Sequence, residues 1–231
     1  MVPSKYKKAV TFSFDDGVTQ DKRFVEILNK YDLKCTFNLN SDRFGQKHTL
    51  ERMGVVVGHD KIEKSEVRAL YDGHEVAAHT RNHPTLPGLS REEIISQVEK
   101  DRINLSEICG YEVVGMAYPG GGVNHDDRVV EIIKENTGVK YARTIITTGD
   151  FALPHDLYRI HPTSYHMDID DMECLAKKFI ELEPEELSVF YIWGHSYEFD
   201  IFDSWDRFER FCQLISNRGD IFYGTNKDIL L

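Results

Sequence analysis

The chain has 231 residues, 41% of them hydrophobic and 29% charged, with 28 Lys and Arg against 39 Asp and Glu for a formal net charge of -11. That length and composition suit one globular domain, residues 1–231, with a core large enough to fold without staples such as disulfides. The acidic balance argues against nucleic acid or an anionic membrane surface as partner, and no apolar run is long enough to span a bilayer.

Strand-like and helix-like segments then alternate along the chain. Ala9 to Phe14 reads as a strand, Asp21 to Tyr31 as a helix with Phe24, Ile27 and Leu28 at helical spacing, and Cys35 to Leu39 as a second strand. Phe44 to Asp60 reads as an irregular insertion. Glu63 to Tyr71 is a predicted helix stopped by Gly73, and Glu75 to Ala78 a third strand. Ser90-Arg91-Glu92-Glu93 is a capping box that opens a long helix running to Gly110. Val113 to Tyr118 is the fourth predicted strand, Val129 to Lys134 a helix, and Tyr141 to Thr147 the fifth strand. Thr148 to Asp168 reads as a long loop, Met172 to Ile180 as a helix and Leu187 to Trp193 as an almost wholly apolar strand. Trp205 to Ile215 is a helix and Ile221 to Tyr223 a last short strand. Short apolar strands alternating with helices predict a parallel sheet buried on both faces, closed as a barrel or open and doubly wound. Cys35, Cys109, Cys174 and Cys212 form no C-x-x-C pair and read as small buried hydrophobes.

The polar residues that stand out follow predicted strand ends, the working face of parallel α/β folds. Asp15-Asp16-Gly17 sets two carboxylates side by side. One can hold a metal while its neighbour stays free as a base, although the same residues also read as an Asp-Gly turn capping the next helix. His79 and His83 offer two imidazoles four residues apart. Asn82 and Pro84 argue against a helix there, so the pair is expected on a loop that curls around an ion. Tyr118-Pro119-Gly120-Gly121-Gly122 can bring backbone N–H groups close to a bound oxygen, and His195 ends the most apolar strand beside Trp193. Each feature has an ordinary structural reading. Together they supply a metal site, a base, an oxyanion donor and an acid.

These motifs resemble the polysaccharide deacetylases with a NodB homology domain, carbohydrate esterase family four. The resemblance covers about Ala9 to His195 and implies a distorted, incomplete (β/α)7 barrel. Thr11-Phe12-Ser13-Phe14-Asp15-Asp16-Gly17 matches the first motif, which makes Asp15 the catalytic base and Asp16 a metal ligand. His79-Thr80-Arg81-Asn82-His83 matches the second, H-[ST]-x-x-H, and adds two ligands. Tyr118-Pro119-Gly120-Gly121 occupies the third, R-x-P-Y-G, with Ala117 in place of the Arg that holds the base. Arg143 is a candidate substitute, although it also reads as an ordinary surface Arg. Gly120 N–H keeps the oxyanion role, and Tyr118 is counted with it on the substrate side. Asp150, in Thr147-Thr148-Gly149-Asp150-Phe151, falls at the fourth motif, where an Asp orients the catalytic His. Ile192-Trp193-Gly194-His195 fits the fifth, making His195 the general acid, with Trp193 either lining the acetyl pocket or buried in the core.

The resemblance thus implies hydrolysis of an N-acetylated sugar with one divalent metal. Zinc is expected, and cobalt, nickel, manganese and iron are compatible with two His and one carboxylate. O-acetyl esters, a non-sugar amide, or an inactive glycan-binding relative are the competing readings. With no signal peptide in the sequence as given, the expected location is cytoplasmic. The oligomeric state is left open.

Overall fold

A computed structural model describes residues 2–231. In chain order its strands are β1 (Lys8–Asp15), β2 (Cys35–Leu39), β3 (Thr49–Arg52), β4 (Val55–Gly58), β5 (Glu75–Ala78), β6 (Gly115–Ala117), β7 (Tyr141–Arg143), β8 (Ser164–Tyr165), β9 (Ser188–Gly194) and β10 (Ile221–Tyr223). The helices are α1 (Asp21–Lys30), α2 (Val67–Leu70), α3 (Arg91–Cys109), α4 (Asp127–Asn136), α5 (Ile169–Glu181), α6 (Glu198–Ile201), α7 (Trp205–Ile215) and α8 (Asn226–Leu230).

Every residue of β1 and β2 is buried, as strands covered on both faces must be. The sheet runs β7-β6-β5-β2-β1-β9-β8, and each of these ladders is parallel. β1 is the hub. β9 runs along one edge, while the other edge takes β10 against Lys8–Val10 and then β2 against Phe12–Asp15. The two ends of the sheet approach each other through an isolated bridge between Arg143 and Ile160, five residues before the end of β8. A seam so lightly paired makes the barrel distorted and incomplete, the fold class expected.

Alternation along β1 divides two environments. Val10, Phe12 and Phe14 face the helices, where Phe24 stacks with Phe14, Phe199 and Phe208, with Phe14 and Phe24 centroids 4.1 Å apart. Burying each such ring is worth roughly 1.5–3 kcal/mol. Thr11, Ser13 and Asp15 face the barrel interior, which is unusually polar. Thr11 donates to Asn226 on α8, Arg143 donates to Ser13, and Glu75 accepts from Thr36 and Tyr141. Below this layer Ala9, Tyr141, Val189, Tyr191 and Ile229 close the floor.

Several sequence expectations need correction. Phe44 to Asp60 is not irregular throughout: β3 and β4 form an antiparallel hairpin about Met53-Gly54, both residues at positive φ (54° and 78°). Glu63 to Tyr71 is a 3-10 turn (Lys64–Glu66) followed by the short α2. The fourth and fifth predicted strands shrink to β6 and β7, because only three residues of each join the ladder. The loop from Thr148 contains β8. Cys35, Cys109 and Cys212 are buried and unpaired, as expected, but Cys174 is exposed. The capping box at Ser90 and the left-handed Gly110 (φ 77°) bound α3 as the sequence predicts. Among the described residues, no helix is long and apolar enough to cross a membrane.

Candidate active site

β1 delivers two carboxylates with different surroundings. At its end Asp16 (φ 85°) and Gly17 (φ 60°) turn the chain sharply, a left-handed pair that Asp tolerates better than bulkier residues. A Cβ on Gly17 would stand 2.8 Å from Leu39 Cδ2, so the turn needs glycine for space as well.

Asp15 points into the barrel. Arg143 Nη2 donates to both of its carboxylate oxygens, and Asn38 Nδ2 donates to Oδ1 at 2.8 Å. Burial pushes the Asp15 carboxyl up, but Arg143, and after it His79 and His195, pull it back to a value below the usual carboxylate range. Arg143 itself is fully buried, so it is not an ordinary surface residue, and its guanidinium also lies 4.8 Å from the Trp193 ring.

Asp16 turns instead toward the rim. Its oxygens lie 3.9 Å from His83 Nε2, 3.2 Å from His59 Nε2 and 3.3 Å from Lys61 Nζ, and Lys61 also donates to its carbonyl at 2.7 Å. Burial opposes its ionisation. Lys61 and His59 more than offset that and hold it well below the usual range. The histidine pair lies on a non-helical loop after β5, with Thr80 and His83 at φ 65° and 64°. Asn40 Nδ2 pins this loop by donating to the carbonyls of His79 (2.6 Å) and Thr80 (2.8 Å), and Asp101 of α3 accepts from His79 N at 3.0 Å.

His79 Nδ1 lies 2.9 Å from the Ala117 carbonyl, which can only accept, so Nδ1 carries the proton and the Nε2 lone pair is free. Burial lowers His79 to about 4, against the pull of Asp15, and lowers His83 as well, so both rings are neutral near pH 7. One oxygen of Asp16 and one nitrogen from each of His79 and His83 lie within 4.8 Å of one another. A carboxylate and two neutral imidazoles, one with its second nitrogen tied to a carbonyl, are the donors a divalent ion such as zinc takes. The Lys61 charge beside Asp16 works against a cation there.

His195 completes the rim. Its Nε2 is 3.9 Å from Asp15 Oδ2, and its Nδ1 is 3.1 Å from Glu198 Oε2. Burial works against protonation, yet Glu198, Asp15 and Asp16 raise its pKa to about 9. The cleft between these groups has a volume of about 350 Å³, with Gly120, Tyr118, Trp193 and Tyr165 in its walls. The Tyr118 hydroxyl is taken up by the Tyr158 carbonyl at 2.9 Å, so the ring is wall and not a hydrogen-bonding contact. Gly120 has φ 83° and open space where a Cβ would stand.

The structure therefore brings Asp15, Asp16, His79, His83, His195, Gly120, Tyr118 and Trp193 to one cleft, with Arg143 buried behind Asp15. It does not bring Asp150 there. Asp150 is exposed, and its Oδ1 accepts from the N–H groups of Phe151 (2.5 Å) and Ala152 (3.1 Å) in its own loop. Sequence reasoning missed Glu198, His59 and Lys61. Glu198, three residues after His195, reads as the acidic first turn of a surface helix and carried no signal of its own. His59 and Lys61 lie at the end of the insertion and carried none.

A family model described as polysaccharide deacetylase matches residues 3–142. The peptidoglycan-N-acetylglucosamine deacetylase PgdA of Listeria monocytogenes is 24% identical over 208 residues, covering 80% of this chain and 41% of that protein. This chain thus spans about two-fifths of the length of that curated relative. Among solved structures, the Xyl-CE4 domain of a multidomain xylanase from the hindgut metagenome of Trinervitermes trinervoides is similar over 97% of this chain and 89% of its own, with TM-score 0.62 and 15% identity. BA3943 of Bacillus anthracis, described as a CE4 family pseudoenzyme, is similar over 97% of this chain and 66% of its own, with TM-score 0.56 and 19% identity. Similarity at such identities establishes the fold alone, and a fold shared with a pseudoenzyme leaves activity to be argued from side chains.

Proposed function

The chain belongs to the polysaccharide deacetylase family, and on that premise we propose that it hydrolyses the acetamido group of an N-acetylated sugar with the help of one divalent metal ion. The observation that carries the reading is the division of labour at the end of β1. Asp16 groups with two neutral imidazoles, while Asp15, although 4.0 Å from His79 Nε2, has its oxygens engaged by Arg143 and Asn38.

Asp16, His79 and His83 would hold the ion, with zinc the metal their chemistry suits best and cobalt, nickel, manganese or iron as alternatives. Bound there, it supplies a Lewis acid for the acetyl oxygen and lowers the pKa of water. Asp15 is ionised at neutral pH and takes a proton from the attacking water, while Arg143 Nη2, shared between both carboxylate oxygens, holds the group in place. The Gly120 N–H, on a turn with no side chain in the way, is the proposed donor to the oxygen that becomes negative; such a donor is typically worth on the order of 3 kcal/mol. His195, protonated near pH 7, gives its proton to the departing nitrogen. The water oxygen joins the carbonyl carbon, the C–N bond breaks, and acetate and the amino sugar leave.

The test is acetate release from N-acetylglucosamine oligomers and peptidoglycan fragments, with bound metal counted in parallel. Asp15→Asn is expected to keep one divalent ion per chain and to lose at least 10²-fold in kcat, whereas His79→Ala loses the ion first. Near-normal turnover in the Asp15 variant would remove it as the base. One ion per chain without acetate from any acetylated substrate, amide or ester, would favour a glycan-binding relative instead.

A further inference from the structure

We propose that Glu198 is the residue that positions His195 for proton donation, the role the sequence assigned to Asp150; this rests on the deacetylase reading of the site. Glu198 opens α6, and its own N–H donates to the His195 carbonyl at 3.2 Å, which folds its side chain back under the imidazole. Oε2 lies 3.1 Å from His195 Nδ1 and 2.7 Å from His166 Nε2. Oε1 accepts from the Tyr165 hydroxyl and from Arg52 Nη1. Both oxygens are therefore engaged, by donors from β8 and the residue after it, from β3 and from the catalytic loop.

The Glu198 side chain is 1% exposed, and the partners decide what that burial means. A buried carboxylate must be paired, and Arg52 supplies the countercharge from the hairpin. With Arg52 and Tyr165 on Oε1 and His166 beside His195 on Oε2, the carboxylate cannot swing. The His195 ring is fixed with it. A carboxylate accepts only, so Nδ1 carries the proton and Nε2 is the atom turned toward Asp15. Gly194 belongs to the same device: a Cβ there would stand 1.8 Å from His166 Cδ2, so His166 reaches Glu198 only across a glycine. The charged groups that bear on His195 are Glu198 from α6 and Asp15 and Asp16 from the end of β1, with the rings of Trp193 and Tyr197 beside it.

Glu198→Gln keeps the shape and removes the charge. It is expected to lower kcat by about 10²-fold, with KM and bound metal nearly unchanged, and to move the basic limb of the kcat/KM profile to lower pH. In a His195→Ala background the same change should cost nothing further in kcat. NMR titration of the His195 ring in the metal-free protein should show its pKa falling on Glu198→Gln whether or not any substrate is turned over. If Glu198→Gln fails to fold, Glu198→Asp, which withdraws the carboxylate by one methylene, is expected to show the same shifts in smaller measure. An unchanged His195 titration, or an equal loss of kcat with and without His195, would overturn the proposal. A wild-type chain that releases no acetate while its His195 titration responds to Glu198 would overturn the deacetylase reading and leave the positioning role standing.

Discussion

Asp15 keeps an ionised carboxylate where water barely reaches, and one guanidinium makes that tolerable. Arg143→Ala would leave the charge buried without its partner. Burial would then dominate and raise the Asp15 carboxyl. The expected outcome is a loss of stability of about 3–5 kcal/mol and a fall in acetate release of at least 10²-fold, while metal content per folded chain persists. Thermal unfolding and elemental analysis check the two halves. Loss of metal with unchanged activity per bound ion would show that Arg143 serves the ligand set and not the base. At this scale the sequence was most legible where chemistry is local: Asp15, Asp16, His79, His83 and His195 stand at strand ends in short motifs. Arg143 was reachable because Ala117 leaves the third motif without its Arg and Arg143 lies on the fifth predicted strand, although it read equally as a surface Arg. Glu198 was not, since His195-Ser196-Tyr197-Glu198 looks like the acidic first turn of any surface helix. Only its four donors reveal it.

α1 starts on a buried carboxylate, and that ties the element to the rest of the molecule. Asp21 accepts from Ser196 Oγ at 2.5 Å and from Tyr71 Oη at 2.6 Å, so it joins α1 to the catalytic loop and to the end of α2. Burial raises it from 3.8 to about 7, despite those hydroxyls. An acid whose folded pKa lies above its unfolded value holds its proton longer in the folded state. Its contribution is fully present below about pH 4 and is lost as pH rises toward 7. Asp21→Asn mimics the neutral acid, because either hydroxyl can turn round to accept. The expected outcome is a variant matching wild type near pH 4 and more stable than it near pH 8, seen as a diverging pair of melting temperatures against pH. A constant difference across that range would show that Asp21 ionises freely. Elements were legible where burial follows a clear pattern, as in the wholly buried β2 and β5 and the amphipathic α7, whose bounds agree with the sequence reading. The β3–β4 hairpin was not. Its turn is Met53-Gly54 and not the Asn-Gly or Asp-Gly that favours two positive φ values, and Val55 and Val56 are 38% and 62% exposed, so burial leaves no pattern to read.

Across the whole molecule, one polar interior runs from the floor of the barrel to its mouth. Asn226 and Thr36 meet Glu75 and Tyr141 at the bottom; Ser13, Asn38 and Arg143 form the middle; Asp15 is the top. A sheet that fills its interior with hydrogen bonds gives Asp15 rigid support, and rigid support is what a base needs to stay clear of a neighbouring cation. The alternation of strands and helices predicted such a frame, but not how its seam closes, because Ile160 and β8 pair through a handful of residues inside what reads as a loop. The separation of ligands from base is the claim on which the chemistry depends. Diffraction from a zinc-soaked crystal, with data on both sides of the zinc absorption edge, addresses it directly. The predicted result is one anomalous peak bonded to Asp16, His79 and His83 at about 2.0–2.2 Å, with Asp15 unligated and still paired to Arg143. A peak coordinated by Asp15, or none at this cleft while zinc binds elsewhere, would contradict it.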